Sequence, residues 1–210
     1  MKSDTIAAIA TALSDAGIGI IRISGPEAIA VANRVVVNKK KEHTLKNWQT
    51  HTIHYGFVEE NGTILDEVMV SVMKAPRSYT TEDTVEINCH GGVLLTKRVL
   101  EAVLHAGARM AEPGEFTKRA FLSGRIDLSE AEAVMDLIQA KNQFSMQASI
   151  KQLRGSVAEK VKSLRAALLY EIAFIESALD DPEHISTEGY SEKLGTVSYT
   201  HLTLPTTSRV

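Results

Sequence analysis

The stretch Pro113–Ala140, PGEFTKRAFLSGRIDLSEAEAVMDLIQA, separates two parts of the chain that have different sequence patterns. Before it, strand-like segments with period-two alternation are mixed with helical segments. After it, apolar residues recur only at helical spacing. The stretch therefore predicts a boundary between an α+β domain with a mixed sheet at residues 1–123 and an all-α segment at residues 124–194.

Turn and cap residues divide this stretch into two helices. Pro113-Gly114 predicts a turn, Glu115–Leu122 predicts a short amphipathic helix, and Ser123-Gly124 predicts its end. Asp127 or Ser129 is suited to cap the helix that follows, because a short polar side chain can accept hydrogen bonds from the free N–H groups of the first turn.

The composition is that of an ordinary globular protein. The chain has 210 residues, 44% hydrophobic and 23% charged, and its formal net charge of −3 argues against a generally basic nucleic-acid-binding protein. Cys89 is the only cysteine, so an internal disulfide is excluded and a reducing compartment is favoured. We recognise no leader peptide, no apolar run long enough for a membrane span and no metal-ligand spacing, and we expect a cytoplasmic location.

The N-terminal half contains recognisable strands and turns. Ile6–Ala10 and Ile18–Ser24 are rich in β-formers, and Gly25-Pro26 precedes a segment with helical apolar spacing. Asn61-Gly62 separates two further strand-like runs and predicts a tight hairpin, because both residues tolerate positive φ. Thr84–Cys89 alternates polar and apolar side chains, which predicts a half-buried strand.

The sequence Cys89-His90-Gly91-Gly92 combines a thiol, an imidazole and two glycines. A nucleophilic cysteine is not favoured, because alternation directs Cys89 and His90 to opposite faces and a lone cysteine is typically a small buried apolar group. The two glycines allow the backbone to approach either a ligand or a neighbouring strand.

Three charged residues are candidates for ligand binding. Glu86 lies inside an alternating strand, where it is either a solvent-facing residue or a carboxylate that accepts two parallel N–H donors from a planar ring. Arg22 lies inside IGIIRIS, where it forms either a structural ion pair or a ligand contact. Arg125 is either a surface residue or a group that binds a carboxylate or phosphate. We predict no catalytic residue.

The C-terminal half is predicted to contain one long helix. Apolar residues recur at spacings of three and four from Ile150 to Leu179, which is the pattern of a single straight helix lying against one partner surface. Basic side chains concentrate in its first part, from Lys141 to Arg165, and are either solvated flanks or contacts to an RNA backbone. Gly195–Val210 continues no periodicity and is predicted to be a foreign tail, which would place a truncation near Leu194.

Five separated motifs resemble one known family. DTIAAIAT, GIGIIRISG, SYTTEDTVEINCHGG, PGEFTKRAFLSGRIDLSEAEAVMDLI and QLRGSV occur here in the order found in the N-terminal portion of the MnmE (TrmE) family of tRNA-modification GTPases. The resemblance covers about residues 4 to 194. It implies a folate-binding domain of the aminomethyltransferase-like fold, followed by the first part of a helical domain into which the family inserts a GTPase domain.

The same resemblance implies ligands and partners. The family forms homodimers through its N-terminal domain, works with the flavoprotein MnmG, and adds a carboxymethylaminomethyl-type group to the wobble uridine, position 34, of certain tRNAs. A tetrahydrofolate derivative, in the 5-formyl or 5,10-methylene form, is implied at Arg22, Glu86 and Arg125. The GTPase motifs and the associated GTP, magnesium and potassium sites do not occur in this sequence, which contains no GxxxxGK[ST] pattern.

Two other functions are compatible with the sequence. One is a freestanding folate-dependent module of the aminomethyltransferase type, and the other is a dimerisation scaffold without a ligand. A P-loop encoded directly after Leu194 would favour the portion of a tRNA-modification GTPase, whereas a stop codon there would favour a freestanding module.

Overall fold

The computed structural model describes residues 4–182, 189–192 and 194–195. The chain forms two compact units, one ending at Ile126 and the other beginning at Asp127. Almost all of the predicted foreign tail, residues 196–210, lies outside the described residues.

The N-terminal unit is built on a seven-stranded sheet with the order β3-β4-β5-β6-β2-β1-β7. Neighbouring strands are antiparallel except β1 and β7, which are parallel, so the predicted mixed sheet is confirmed. The strands are β1 Ile6–Ile9, β2 Ala16–Ser24, β3 Val36–Val37, β4 Thr52–Glu60, β5 Thr63–Met73, β6 Thr84–Gly91 and β7 Arg109–Met110.

Two helices, α1 (Ala28–Val35) and α2 (Val93–His105), pack on one face of this sheet. Their apolar stripes meet alternate residues of the strands, since successive side chains of a strand point to opposite faces. The core cluster includes Val31, Val35, Val99 and Val103 from the helices and Ile21, Ile23, Val70, Val72, Val85 and Ile87 from the strands. The opposite face of the sheet therefore presents the residues between them.

The predicted hairpin is confirmed. Strands β4 and β5 pair up to Glu60 and Thr63, and the two residues between them have φ values of 50° at Asn61 and 79° at Gly62. Positive φ at both central positions matches the right-handed twist of the flanking strands.

Gly91 and Gly92 differ in the space around them. For Gly91, the difference favours close approach of a neighbouring strand over close approach of a ligand. A Cβ built on Gly91 would lie 2.5 Å from the carbonyl oxygen of Ala16 in strand β2, whereas one on Gly92 would have nothing within 4 Å. Gly91 therefore allows close approach of a neighbouring strand.

We expect Gly91→Ala to lower the free energy of unfolding of the N-terminal unit by about 1–2 kcal/mol, because the added methyl group must displace backbone. Gly17→Ala in strand β2 is the matched control, because a Cβ there would also have nothing within 4 Å, and it should change stability by less than about 0.5 kcal/mol. Urea unfolding followed by the fluorescence of Trp48, the single tryptophan, measures both variants. Equal stabilities of the two variants would contradict the packing described here.

Both helices predicted around the boundary are confirmed. Helix α3 spans Glu115–Leu122, and Gly124 follows it with φ of 75°. Helix α4 spans Leu128–Gln139 and belongs to the C-terminal unit. Asp127 is its N-cap, because its side chain accepts a hydrogen bond from the backbone N–H of Glu130 while the Glu130 carboxylate accepts one from the N–H of Asp127.

The prediction of one long helix from Ile150 to Leu179 is wrong. Helix α5 spans Gln143–Leu153, and helix α6 spans Ser156–Asp180. Gly155 separates them with φ of 77°, a left-handed conformation that ends an α-helix. Apolar spacing did not reveal the break because one left-handed residue interrupts the backbone without interrupting the spacing of three and four.

The assignment of Lys141 to this long helix is also wrong, because Lys141 lies in the connection between α4 and α5.

Several apolar side chains of α6 are exposed, including Leu168, Ile172 and Leu179. Within the described part of the chain, none of the helices combines the length and the apolar character that crossing a bilayer requires.

Candidate functional site

Arg22 and Glu86 form an ion pair across two neighbouring strands. They are directly opposite in the antiparallel register of β2 and β6, and Nε of Arg22 lies 2.7 Å from Oε1 of Glu86. Their side chains are 32% and 22% exposed, so neither is fully solvated or fully buried. Because Ile21, Ile23, Val85 and Ile87 occupy the core face, this pair lies on the other face of the sheet.

The ion pair uses only part of the hydrogen-bonding capacity of these groups. In the region that the structure describes, Oε2 of Glu86 and both Nη atoms of Arg22 have no hydrogen-bond partner. A carboxylate has two acceptor oxygens and a guanidinium has five N–H donors. The pair can therefore bind a further polar group without first losing its internal contact.

Helix α3 places side chains beside this pair. The guanidinium carbon of Arg22 lies 5.7 Å from the ring centroid of Phe116, within range of a cation–π contact. One residue along the helix, Thr117 shares a hydrogen bond of 3.1 Å with the hydroxyl of Tyr79. Helix α3 thus connects the Arg22 side of the sheet to the irregular segment between β5 and β6.

Arg125 contacts the same segment. Its guanidinium carbon lies 5.0 Å from the ring centroid of Tyr79, and Nη1 donates a hydrogen bond of 3.1 Å to the Tyr79 carbonyl oxygen. Arg22 and Glu86 are therefore brought into direct contact, whereas Arg125 is linked to α3 through Tyr79. A site made of these residues has a carboxylate, two guanidinium groups and two aromatic rings.

An ion-pair network fixes helix α3 to the sheet. Arg119 of α3 donates hydrogen bonds to the carboxylates of Asp4, Glu82 and Glu115, and Arg109 of β7 pairs with Asp4 and Glu115. The Arg119 side chain is only 12% exposed. This network connects the start of the chain, the β5–β6 segment, β7 and α3, and so holds the elements that carry Phe116 and Tyr79.

The network lowers the pKa of two of its carboxyl groups. The hydrogen bond from Arg109 is the main cause at Glu115, whose pKa falls to about 2, while burial partly opposes the shift. Arg109 also dominates at Asp4, where the pKa is again about 2. Both groups therefore remain ionised well below neutral pH.

Cys89 is buried as the sequence predicted. Its side chain lies in the core cluster, and its Sγ–H donates to the Gly19 carbonyl oxygen at 3.4 Å. Burial raises the pKa of the thiol, which disfavours the thiolate that a nucleophile requires. Among the described residues, His, Cys, Asp and Glu side chains form no group of three that could hold a metal ion.

The sequence did not reveal the two aromatic side chains of this site or the partners within its ion-pair network. Phe116 and Arg119 lie on the predicted helix α3, but their contacts with Arg22, Glu82 and Asp4 join residues 37 to 115 positions apart, which no local pattern reveals. Tyr79 lies in an irregular segment without periodicity. An aromatic residue in a loop that precedes a strand with an interior carboxylate is the one signal that could have suggested it.

Comparison with known proteins gives two family matches. Residues 5–125 match the model described as GTP-binding protein TrmE N-terminus, and residues 128–203 match the model described as MnmE helical domain. The first match alone covers 121 residues, counting from 5 to 125, which is more than half of the 210-residue chain.

Curated relatives agree with these matches. Proteins named tRNA modification GTPase MnmE from Lachnoclostridium phytofermentans and Listeria welshimeri are 60% and 50% identical to this chain over 194 residues. The one from Enterococcus faecalis is 50% identical over 196 residues. Each alignment covers 92% of this chain and 42% of the relative, so the chain spans about two fifths of the length of these proteins. The chain belongs to the MnmE (TrmE) family and corresponds to its N-terminal domain and part of its helical domain.

Proposed function

We propose that this chain is the reduced-folate-binding and dimer-forming portion of a GTPase that modifies the wobble uridine of certain tRNAs together with MnmG. Membership of the MnmE family supports the proposal, because the named relatives are tRNA modification GTPases. The GTP, magnesium and potassium sites of such a GTPase would lie outside this sequence, which has no P-loop pattern. We expect no GTP hydrolysis by this polypeptide, and measurable turnover by the purified chain would contradict this.

The observation that carries the folate proposal is the open carboxylate oxygen of Glu86. A pterin ring presents two parallel N–H donors along one edge, and a carboxylate is the matching acceptor. Glu86 is held in place by Arg22 through Oε1 and keeps Oε2 without a partner among the described residues. The residues present therefore fit the group that the family resemblance implies.

The other site residues have complementary roles in this proposal. The free N–H groups of Arg22 would bind acceptor atoms of the ring, and Arg125 would bind a polar or anionic part of the ligand. Phe116 and Tyr79 offer aromatic faces beside both arginines. A bound tetrahydrofolate derivative, in the 5-formyl or 5,10-methylene form, would supply the one-carbon unit.

A stability measurement tests this function. A ligand that binds only the folded state raises the free energy of unfolding, by about 2.7 kcal/mol when its concentration is 100 times the Kd. We expect saturating 5-formyltetrahydrofolate to move the urea midpoint reported by Trp48 upwards, because Trp48 lies in the N-terminal unit. An unchanged midpoint at millimolar ligand would contradict a folate site in this unit.

The remaining parts of the proposal follow from the family. We propose a cytoplasmic homodimer formed through an N-terminal domain at 1–123, with a helical segment at 124–194. Light scattering tests the dimer, and a monomer at micromolar concentration would contradict it.

Lys160 and Lys162 are candidates for tRNA contact, and unchanged tRNA binding after reversing both charges would exclude them. The alternative functions are a freestanding folate module and a scaffold without ligand. A P-loop encoded directly downstream of Leu194 would exclude the freestanding folate module.

A further inference from the structure

His90 and Asp66 form a histidine–carboxylate pair that the proposed site does not use. Nδ1 of His90 lies 2.8 Å from Oδ1 of Asp66, and the backbone N–H of His90 donates to Oδ2 at 2.8 Å. The Asp66 side chain is 9% exposed, whereas that of His90 is 69% exposed. Asp66 therefore fixes the imidazole through Nδ1–H, and within the described part of the chain Nε2 has no hydrogen-bond partner.

His90 lines a pocket with mixed chemistry. Its volume is about 240 Å³, and its lining includes the apolar or aromatic side chains of Ile18, Tyr55 and Met69 together with the polar side chains of Glu67, Asn88 and His90. Apolar walls with a few polar groups are typical of sites that bind an organic ligand.

This pocket continues the proposed folate site along strand β6. Glu86, Asn88 and His90 occupy every second position of the strand, and at about 3.4 Å per residue His90 is about 14 Å from Glu86 along β6. At the other end of this face Thr84 is 2% exposed and Ser24 is fully buried, so that end offers the tail of a ligand less open surface. A ligand held at Glu86 therefore has open surface toward His90.

On the assumption that the proposed folate site exists, we propose that His90, as an imidazolium held by Asp66, donates an Nε2–H hydrogen bond to the part of the folate beyond its pterin ring. That part carries a benzoyl carbonyl oxygen and glutamate carboxylates, which are hydrogen-bond acceptors. A charged donor gives a stronger hydrogen bond than a neutral one. Folate binding is then coupled to uptake of a proton by His90.

The surrounding charges set the direction of the pH dependence. Asp66, with a smaller contribution from Glu67 on the same strand, raises the pKa of His90 above its ordinary value of 6.5, while burial opposes the shift. The titratable groups Tyr55 on β4 and Cys89 on β6 have pKa values raised by burial, so both stay neutral near pH 7. Because binding raises the pKa of His90 further, affinity is greatest at low pH and is lost as pH rises through the pKa of His90 in the complex.

Calorimetric titration of the full chain with 5-formyltetrahydrofolate, from about pH 5.5 to 8.5, tests this coupling. The wild-type affinity should fall about tenfold or more across this range, whereas that of His90→Gln should vary much less. His105→Gln is the matched control, because His105 also pairs with a carboxylate, Nδ1 to Glu60 at 2.9 Å, but lies at the end of α2. Its pH dependence should match the wild type.

Buffers with different ionisation enthalpies give a second readout, which is the number of protons taken up on binding. His90→Gln should abolish the uptake, and Asp66→Asn should move the midpoint of the pH dependence to lower pH, which tests the coupling even if His90→Gln does not fold. Binding with the same pH dependence in His90→Gln and wild type would overturn the role of His90 and leave the folate site intact. No binding by the folded wild type at any pH would overturn both proposals.

Discussion

Replacing Arg119 by methionine is expected to lower the free energy of unfolding of the N-terminal unit by about 3 kcal/mol. Arg119 is 12% exposed and bonds to Asp4, Glu82 and Glu115, of which Glu115 is 10% exposed and Glu82 is 20% exposed. Methionine fills the space of the aliphatic part of the arginine side chain. It removes the positive charge, however, and so leaves partly buried carboxylates without one of their ion-pair partners. The value is at the low end for a broken buried pair, because Arg109 still contacts Glu115.

Urea unfolding followed by Trp48 fluorescence measures this effect. Arg98→Met is the matched control, since Arg98 is 49% exposed, its partner Glu101 is exposed, and its less exposed partner Glu60 keeps the contact with His105. Exposed pairs contribute about 0–1 kcal/mol, so the control should lose much less stability. An equal decrease in the free energy of unfolding in the two variants would show that the ion pairs around α3 contribute no more than exposed ion pairs do.

The same network predicts that the free energy of unfolding decreases at acid pH. The pKa of Glu115 is lowered to about 2 in the folded state, compared with about 4.3 in an unfolded chain. Its contribution is therefore fully present above about pH 4.5 and is lost as pH falls toward 2. A free energy of unfolding that did not fall over this range would contradict the placement of Glu115 between Arg109 and Arg119.

The second large effect concerns the ligand. Glu86→Gln is expected to weaken binding of 5-formyltetrahydrofolate by about 30-fold, which corresponds to about 2 kcal/mol, a typical value for a hydrogen bond to a charged group. Glutamine keeps the shape of the side chain but replaces one acceptor oxygen with an N–H donor, which faces the donors of the pterin edge. The effect is on the ligand contact, since Gln retains a carbonyl oxygen that can accept from Arg22.

Equilibrium dialysis of the folded variants gives the ratio of Kd values directly. Glu101→Gln serves as the control, because Glu101 is an exposed carboxylate on α2 and contacts Arg98. It should bind folate as the wild type does. A Glu86→Gln variant with wild-type affinity would remove Glu86 from the ligand site.

Much of the N-terminal fold follows from local sequence signals. Asn61-Gly62 and Gly124 adopt the positive φ values that their residue types favour, and the strand at Thr84 was recognised from alternation. Glu86 was singled out because a charge within an apolar strand requires a partner. Pattern alone could not identify that partner as Arg22, which lies 64 residues away.

The failures arise from interactions or backbone features that periodicity does not encode. The continuous apolar spacing from Ile150 to Leu179 hid the left-handed Gly155. The bond from Arg119 to Asp4 joins residues 115 positions apart, and only the folded sheet brings them together. The pairing of Asp66 with His90 depends likewise on the adjacency of β5 and β6.

The most direct test of the central claim, that this chain binds a reduced folate, is calorimetric titration of the wild-type chain with 5-formyltetrahydrofolate. The proposed site predicts saturable binding with one ligand per chain. Cooperative unfolding of the same sample shows that the protein is folded. A chain that is folded by the Trp48 signal yet gives no binding at millimolar ligand would contradict the claim, and would leave the Arg22–Glu86 pair as a structural contact of the sheet.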